Sequence, residues 1–154
     1  MTDITNEIKE AFDRYGLKYR VQEEEDSIRI IVGVRIAYTT LNLWYIINSG
    51  DPSIAVRVPD FVRFKTDAER IKMQKKANEL HQKYRFAKFA VSGEDQAVLI
   101  EYDCPAALHE QGETAIEMFH RITQIAEMAY PSFMRALWGG EEFFGNAVFY
   151  EYKY

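Results

Sequence analysis

Glu117 and His120 are the two residues of this 154-residue chain whose types and spacing come closest to a reactive site. A carboxylate and an imidazole three positions apart on a helix share one face, an arrangement that di-iron helical bundles use twice. The chain contains the pattern once, and a two-metal site would also need a second copy and two further inward carboxylates. The sequence therefore predicts a solvated helix face here and no metal site.

The other histidines and the single cysteine do not form a recognisable reactive set either. His81 and His109 lack the spacing that would bring three zinc ligands together. Cys104 precedes a proline at a strand end, with no cation beside it, and is expected to be a small, half-buried apolar residue. Glycine-rich phosphate loops and the Gly-x-Ser-x-Gly elbow are missing from the sequence. We therefore expect no catalytic residue and no cofactor.

The compartment is expected to be the cytoplasm. One cysteine excludes an intramolecular disulfide, which fits a reducing environment. The first residues lack the basic and apolar stretches of a signal peptide, and no apolar run reaches 18 residues, so we expect no membrane segment.

The net charge of −5 is unevenly distributed along the chain. Residues 1–62 carry −3, residues 63–88 carry +6, and residues 89–154 carry −8. Overall acidity argues against nucleic acid as a partner. The basic run fits either a solvated helix face or a docking site for an acidic partner, for which Lys72, Lys75 and Lys76 are candidate contacts.

The periodicity of the apolar residues predicts three helices and about six strands. Helical spacing covers residues 3–15 and 112–129, and the Thr66/Glu69 pair is a capping box that starts a helix near Asp67. Pro131 should stop or kink the third helix, with a further turn or two over residues 133–138. Alternation predicts strands at residues 17–21, 28–36, 41–48, 54–58, 87–91 and 98–102.

These elements define an α+β domain in the order α-β-β-β-β-α-β-β-α. The first four strands read as a meander and the last two as a hairpin, so the sheet is antiparallel, with helices packed mainly on one face. We expect residues 1–140 to form a single domain.

Residues 141–154 form an aromatic tail, which contains six of the 22 aromatic residues in the chain. So apolar a segment is expected to pack as an extra strand or as a docking segment. The candidate partner contacts are Phe143, Phe144, Phe149, Tyr150 and Tyr152.

Two stretches carry a resemblance to a known family: Asn78-Glu-Leu-His-Gln-Lys-Tyr-Arg-Phe-Ala-Lys-Phe89 and Val98-Leu-Ile-Glu-Tyr-Asp103. With the element order, with Ile54-Ala-Val-Arg-Val-Pro59 and with Tyr130-Pro-Ser-Phe-Met134, they resemble the YbjN-like family of small bacterial proteins over residues 4–138. That family is similar in fold to the class I type III secretion chaperones, which dimerise and hold peptide segments, and its members are described as sensory-transduction regulators. The resemblance implies no catalytic residues.

The sequence thus leads to a hypothesis of a non-enzymatic homodimer that binds a protein or peptide, as a chaperone-like adaptor or a signalling regulator. Docking would use an exposed sheet edge or an apolar groove. The alternative is a small-ligand sensor or enzyme, with a pocket between the sheet and the third helix where Tyr102, Asp103, Glu117 and His120 converge.

Overall fold

The structure is a computed structural model that describes residues 2–51, 53–105 and 110–139. The predicted α+β class and the predicted element order are both confirmed. The elements are α1 (Thr2–Arg14), β1 (Tyr19–Glu23), β2 (Ser27–Arg35), β3 (Thr40–Asn48), β4 (Ser53–Arg63), α2 (Asp67–His81), β5 (Lys88–Ser92), β6 (Ala97–Pro105) and α3 (Gln111–Trp138).

The six strands form one antiparallel sheet in the order β1-β2-β3-β4-β6-β5. The first four strands are a meander and the last two a hairpin, as predicted. β6 pairs with β4, which places β1 and β5 at the two edges. The chain therefore leaves the sheet after β4, forms α2, and returns with β5 at the far edge.

One face of the sheet carries the core. Ile30, Tyr45, Val56 and Tyr102 lie opposite one another on four neighbouring strands, and all four are buried. The Tyr45 ring meets Phe12 of α1 edge-on, with the ring centroids 5.1 Å apart, and its hydroxyl donates to the carbonyl of α3 residue 115 at 2.9 Å. Both helices therefore lie on this face.

α1 and α3 approach each other closely at Gly112. A methyl group at that position would lie 2.7 Å from the Glu7 carbonyl oxygen and 2.8 Å from Cβ of Ala11, so only glycine fits there without a shift. The Glu7 carboxylate accepts the Gln111 backbone N–H at 3.1 Å beside this contact. The start of α3 is therefore held against the side of α1.

α2 begins at the predicted capping box. The Thr66 hydroxyl accepts the Glu69 N–H at 3.1 Å, while the Glu69 carboxylate accepts the backbone N–H groups of Lys65 and Thr66. At the other end, Nε2 of His81 accepts the Phe89 N–H at 2.8 Å, and the two rings stack. His81 therefore joins α2 to the edge strand β5.

Two element boundaries differ most from the sequence prediction, and the others shift by three residues or fewer. α3 continues without a break through Pro131 to Trp138, so this proline does not stop the helix. Because the helix continues, Phe133 is buried, with its ring centroid 5.9 Å from that of Phe61 and 5.3 Å from that of Phe89. This packing offsets the one backbone hydrogen bond that Pro131 cannot donate.

β4 is the second difference, because it passes the predicted end at residue 58 and reaches Arg63. The strand accommodates Pro59 with a bulge between Val58 and Val62, where Asp60 has a φ of 54°. Over the described ranges, none of the helices has the length and apolar character needed to cross a membrane.

Candidate functional site

A groove of about 400 Å³ lies where the last turns of α3 pass over the bulged end of β4. That volume falls within the range of ligand-binding clefts in proteins. Most of its lining residues are aromatic or aliphatic, namely Phe61, Val62, Phe64, Tyr130, Met134, Leu137 and Trp138.

The bulge in β4 shapes one wall of the groove. Three residues, 59–61, stand between the paired positions Val58 and Val62, whereas β6 has only Leu99 between the matching partners. The extra length and the left-handed backbone of Asp60 bend the strand there. Phe61 is consequently buried beneath α3, where its ring meets Tyr130 edge-on at 5.7 Å.

Exposed aromatic side chains stand beside this groove. Trp138, on the last turn of α3, is 67% exposed, and Tyr38, on the β2–β3 connection, is 53% exposed. Tyr38 stacks on Tyr130 with ring centroids 5.7 Å apart and an interplanar angle of 13°. Large apolar side chains that remain in water next to an apolar cleft are typical of a binding site.

The rim of the groove is polar, and its two acidic groups are already engaged. Asp60 pairs with Arg63 at 2.8 Å. The Lys65 backbone N–H, together with the bonds from Thr66, holds the pKa of Glu69 below its usual value. The two basic residues that line the groove, Arg63 and Lys65, equal the two acidic ones in number, and Lys65 is exposed.

The predicted cationic contacts on α2 have different surroundings. Lys72 lies one turn beyond Glu69 on α2 and helps to lower the pKa of that carboxyl, although Lys72 itself does not line the groove. Lys75 is exposed, and Lys76 pairs with Glu79 at 2.6 Å. Of the three lysines, Lys72 is thus tied electrostatically to the groove.

The face of the sheet opposite the helices is a second candidate surface. Ile31, Trp44, Arg57 and Glu101 lie opposite one another across this face. The guanidinium of Arg29 lies over the Trp44 ring, 4.3 Å from its centroid. Trp44 thus lies half-buried at the centre of this face, between the buried Ile31 on β2 and the charged Arg57 on β4.

Arg57 supplies the main charge pairs of this opposite face. It contacts the Asp103 carboxylate at 2.6 Å and the Glu101 carboxylate at 3.4 Å. These pairs place Asp103 on the face away from the helices, while Tyr102 faces the core. In the alternative hypothesis Tyr102, Asp103, Glu117 and His120 would converge on one pocket, and the position of Asp103 on the other face excludes that set of four.

The residues first considered for chemistry are engaged in other contacts. Glu117 accepts from Arg121 at 2.8 Å. Cys104 is half-buried, and burial, followed by the nearby Glu117 carboxylate, raises the pKa of its thiol. Among the described residues, no group of three histidine, cysteine or acidic side chains could hold a metal ion.

Several predicted residues lie outside the described part of the chain. They are His109 and the tail contacts Phe143, Phe144, Phe149, Tyr150 and Tyr152. The groove itself was missed by sequence reasoning. Two features of the sequence could have indicated it. Pro59-Asp60 interrupts a stretch of alternating apolar residues, which is typical of a bulge, and Tyr130, Met134 and Trp138 recur at helical spacing.

Comparison with known proteins adds no relative, since no protein-family model and no curated protein matches the chain.

Proposed function

We propose that this protein is a non-enzymatic peptide-binding module, which holds a segment of a partner protein in the groove at the end of α3. In this role it acts as a chaperone-like adaptor or a regulator. The observation that carries the proposal is the groove itself, an apolar cleft of about 400 Å³ with Trp138 at its edge. Aromatic side chains in such positions contribute much of the binding energy at protein interfaces.

The chemistry of the groove favours a segment with aromatic or long aliphatic side chains and acidic neighbours. Phe64, Met134 and Leu137 offer apolar contact, and Met134 can adapt its shape to different side chains. Lys65 lines the groove and belongs to the segment 63–88, which carries +6, so acidic residues beside the bound side chains are favoured.

The proposal assigns the opposite face of the sheet to self-association as a homodimer. Trp44 supplies a half-buried apolar group at the centre of this face, and the described helices all pack on the other face. Arg57 stands beside Glu101 and Asp103, so this face carries both signs of charge. A two-fold interface requires such self-complementarity, since each patch meets its own copy.

Selection from a random peptide library tests the groove assignment. The target is the full chain with Phe143→Ala and Phe144→Ala, so that the chain's own aromatic segment cannot compete. We expect enriched peptides that combine aromatic and acidic residues. Trp138→Ala should weaken their binding about tenfold or more, because it removes the exposed aromatic wall.

Ile71→Ala is the matched control, because Ile71 is 55% exposed on α2 and does not line the groove. It should change the affinity by less than about twofold. A selection without enrichment, or peptides that bind equally well to the Trp138→Ala chain, would refute the groove assignment.

A further inference from the structure

We infer that the groove has an occupant within the same chain, namely the aromatic segment 141–154, with Phe143 and Phe144 as the side chains that enter it. This inference rests on the proposed function, since it gives the peptide-binding groove an internal competitor. The segment lies outside the described residues, so the argument starts from the groove and from the point at which α3 ends.

The position where α3 ends favours the chain's own segment as the occupant. Trp138 is the last residue of the helix, Gly139 is extended with φ −142° and ψ 152°, and Trp138 and Leu137 both line the groove. The chain therefore leaves α3 beside two lining residues of the groove. A partner segment would first have to find this site from solution.

The chain after Gly139 is long enough for Phe143 and Phe144 to reach the groove. Tyr130 and Trp138 bound the groove along α3, and eight residues of helix span about 12 Å. Phe143 and Phe144 follow Gly139 by four and five residues, which reach at most about 13 to 18 Å. The glycine pair 139–140 permits the reversal needed to turn back along the helix.

The chemistry of the segment matches the groove. Its first residues, Glu141-Glu-Phe-Phe144, place two carboxylates directly before two phenyl rings. The groove presents an apolar interior, the exposed Lys65 lines it, and Lys72 follows one turn after the lining residue Glu69. The Phe-Phe pair can fill the apolar space while the glutamates remain at the rim, next to the lysines.

An internal occupant would weaken the binding of external peptides without a change in the groove. A short tether gives an effective concentration of the order of millimolar. A segment whose own dissociation constant is about 0.1 mM would then lower the apparent affinity of an external peptide by roughly tenfold. Removal of the Phe143 and Phe144 rings should therefore raise the apparent affinity of the external peptide by the same factor.

Nuclear magnetic resonance of the full chain tests this inference directly. The reporters are the Trp138 indole N–H and the Met134 ε-methyl group, both in the groove, with Trp44 and Met118 as internal references. We expect Phe143→Ala/Phe144→Ala to shift the two groove signals and leave the references in place. Tyr154→Ala, an aromatic substitution in the same segment outside the candidate contacts, is the matched control and should leave all four signals unchanged.

Two results would overturn the inference. Groove signals that do not respond to the phenylalanine substitutions would show that the segment does not occupy the groove. A response that appears only as protein concentration rises would assign the occupant to a second copy of the chain. The response we expect is the same at low and high concentration, because the contact lies within one chain.

The affinity of a library-selected peptide separates this inference from the proposed function. If the peptide binds the Phe143→Ala/Phe144→Ala chain about tenfold more tightly than the unmodified chain, the result supports both the internal occupant and the peptide-binding function. Equal binding to the two chains refutes the internal occupant and leaves the groove as a peptide site. If no peptide binds the substituted chain, the proposed function falls even where the groove signals respond to the segment.

Discussion

Tyr45 shows what a single buried hydroxyl contributes to this fold. Its O–H donates to the Ala115 carbonyl at 2.9 Å, and burial raises the pKa of Tyr45 well above its usual value, so the group stays neutral. We expect Tyr45→Phe to lower the free energy of unfolding by about 1 kcal/mol, since the buried carbonyl loses a partner. Urea denaturation measures this change.

Tyr38→Phe is the control for that measurement, because Tyr38 is on the surface. It should change the free energy of unfolding by less than about 0.5 kcal/mol. Equal losses in the two variants would show that the Tyr45 hydroxyl adds nothing specific.

Glu69 gives a prediction about pH. The backbone N–H of Lys65 is the main cause of its lowered pKa, so the ionised form stabilises the folded state. This stabilisation is present above the ordinary carboxyl pKa and is lost as pH falls through the lowered one. The difference in unfolding free energy between the unmodified chain and Glu69→Gln should therefore shrink as the medium becomes acidic.

Chemical denaturation at a series of pH values, from neutral to about pH 3, measures that difference. A difference that stays constant across the series would contradict the role given to the Glu69 carboxylate. Thr66→Ser serves as the control, because it keeps the hydroxyl of the capping box and should preserve the pH dependence.

At the scale of elements, the contact between α1 and α3 depends on Gly112. A methyl group there would meet the Glu7 carbonyl oxygen at 2.7 Å, and backbone atoms cannot move aside as a side chain can. We expect Gly112→Ala to destabilise the protein by about 1 to 3 kcal/mol in thermal or urea unfolding.

Gly93→Ala is the matched substitution, since the nearest atom to its added methyl would be the flexible Arg70 side chain at 3.5 Å. It should cost much less than Gly112→Ala. If Gly112→Ala were as stable as the unmodified chain, α1 and α3 could not pack as closely as described.

The elements that were predicted correctly are those whose sequence patterns involve residues close together in the chain. Alternation over Ile28–Ile36 and the Thr66/Glu69 box each depend on residues a few positions apart, and both predictions are confirmed. The uninterrupted path of α3 through Pro131 was not predicted, because the burial of Phe133 against Phe61 involves residues far apart in the chain.

The groove could not be predicted for the same reason. Its walls come from residue 39, from residues 60–69 and from residues 130–138, which meet only after the sheet and α3 have packed. The left-handed conformation of Asp60 is also a consequence of the bulge and has no glycine to announce it. The sequence prediction pointed to α2 lysines, of which Lys72 lies near this site.

At the scale of the whole molecule, the proposed homodimer predicts the effect of a charge on the sheet face opposite the helices. Trp44→Arg places a cation at the centre of this face, opposite Ile31 and beside Arg57. We expect a dimer for the unmodified chain and a monomer for the variant in sedimentation velocity, because a two-fold interface would bring the new charges together.

Gln124→Arg, on the exposed side of α3, is the control and should remain a dimer. An unmodified chain that sediments as a monomer at high concentration would contradict the homodimer. A Trp44→Arg variant that stays dimeric would place the interface elsewhere.

The location of a bound peptide tests the central claim most directly. A library-selected peptide that carries a spin label broadens the signals of nearby protons, and the five methionine methyl groups and two tryptophan indoles of this chain are convenient reporters. The account predicts that Met134 and Trp138 are broadened first, while Trp44 and Met118 are spared. Broadening centred on Trp44, or spread evenly over the reporters, would contradict it.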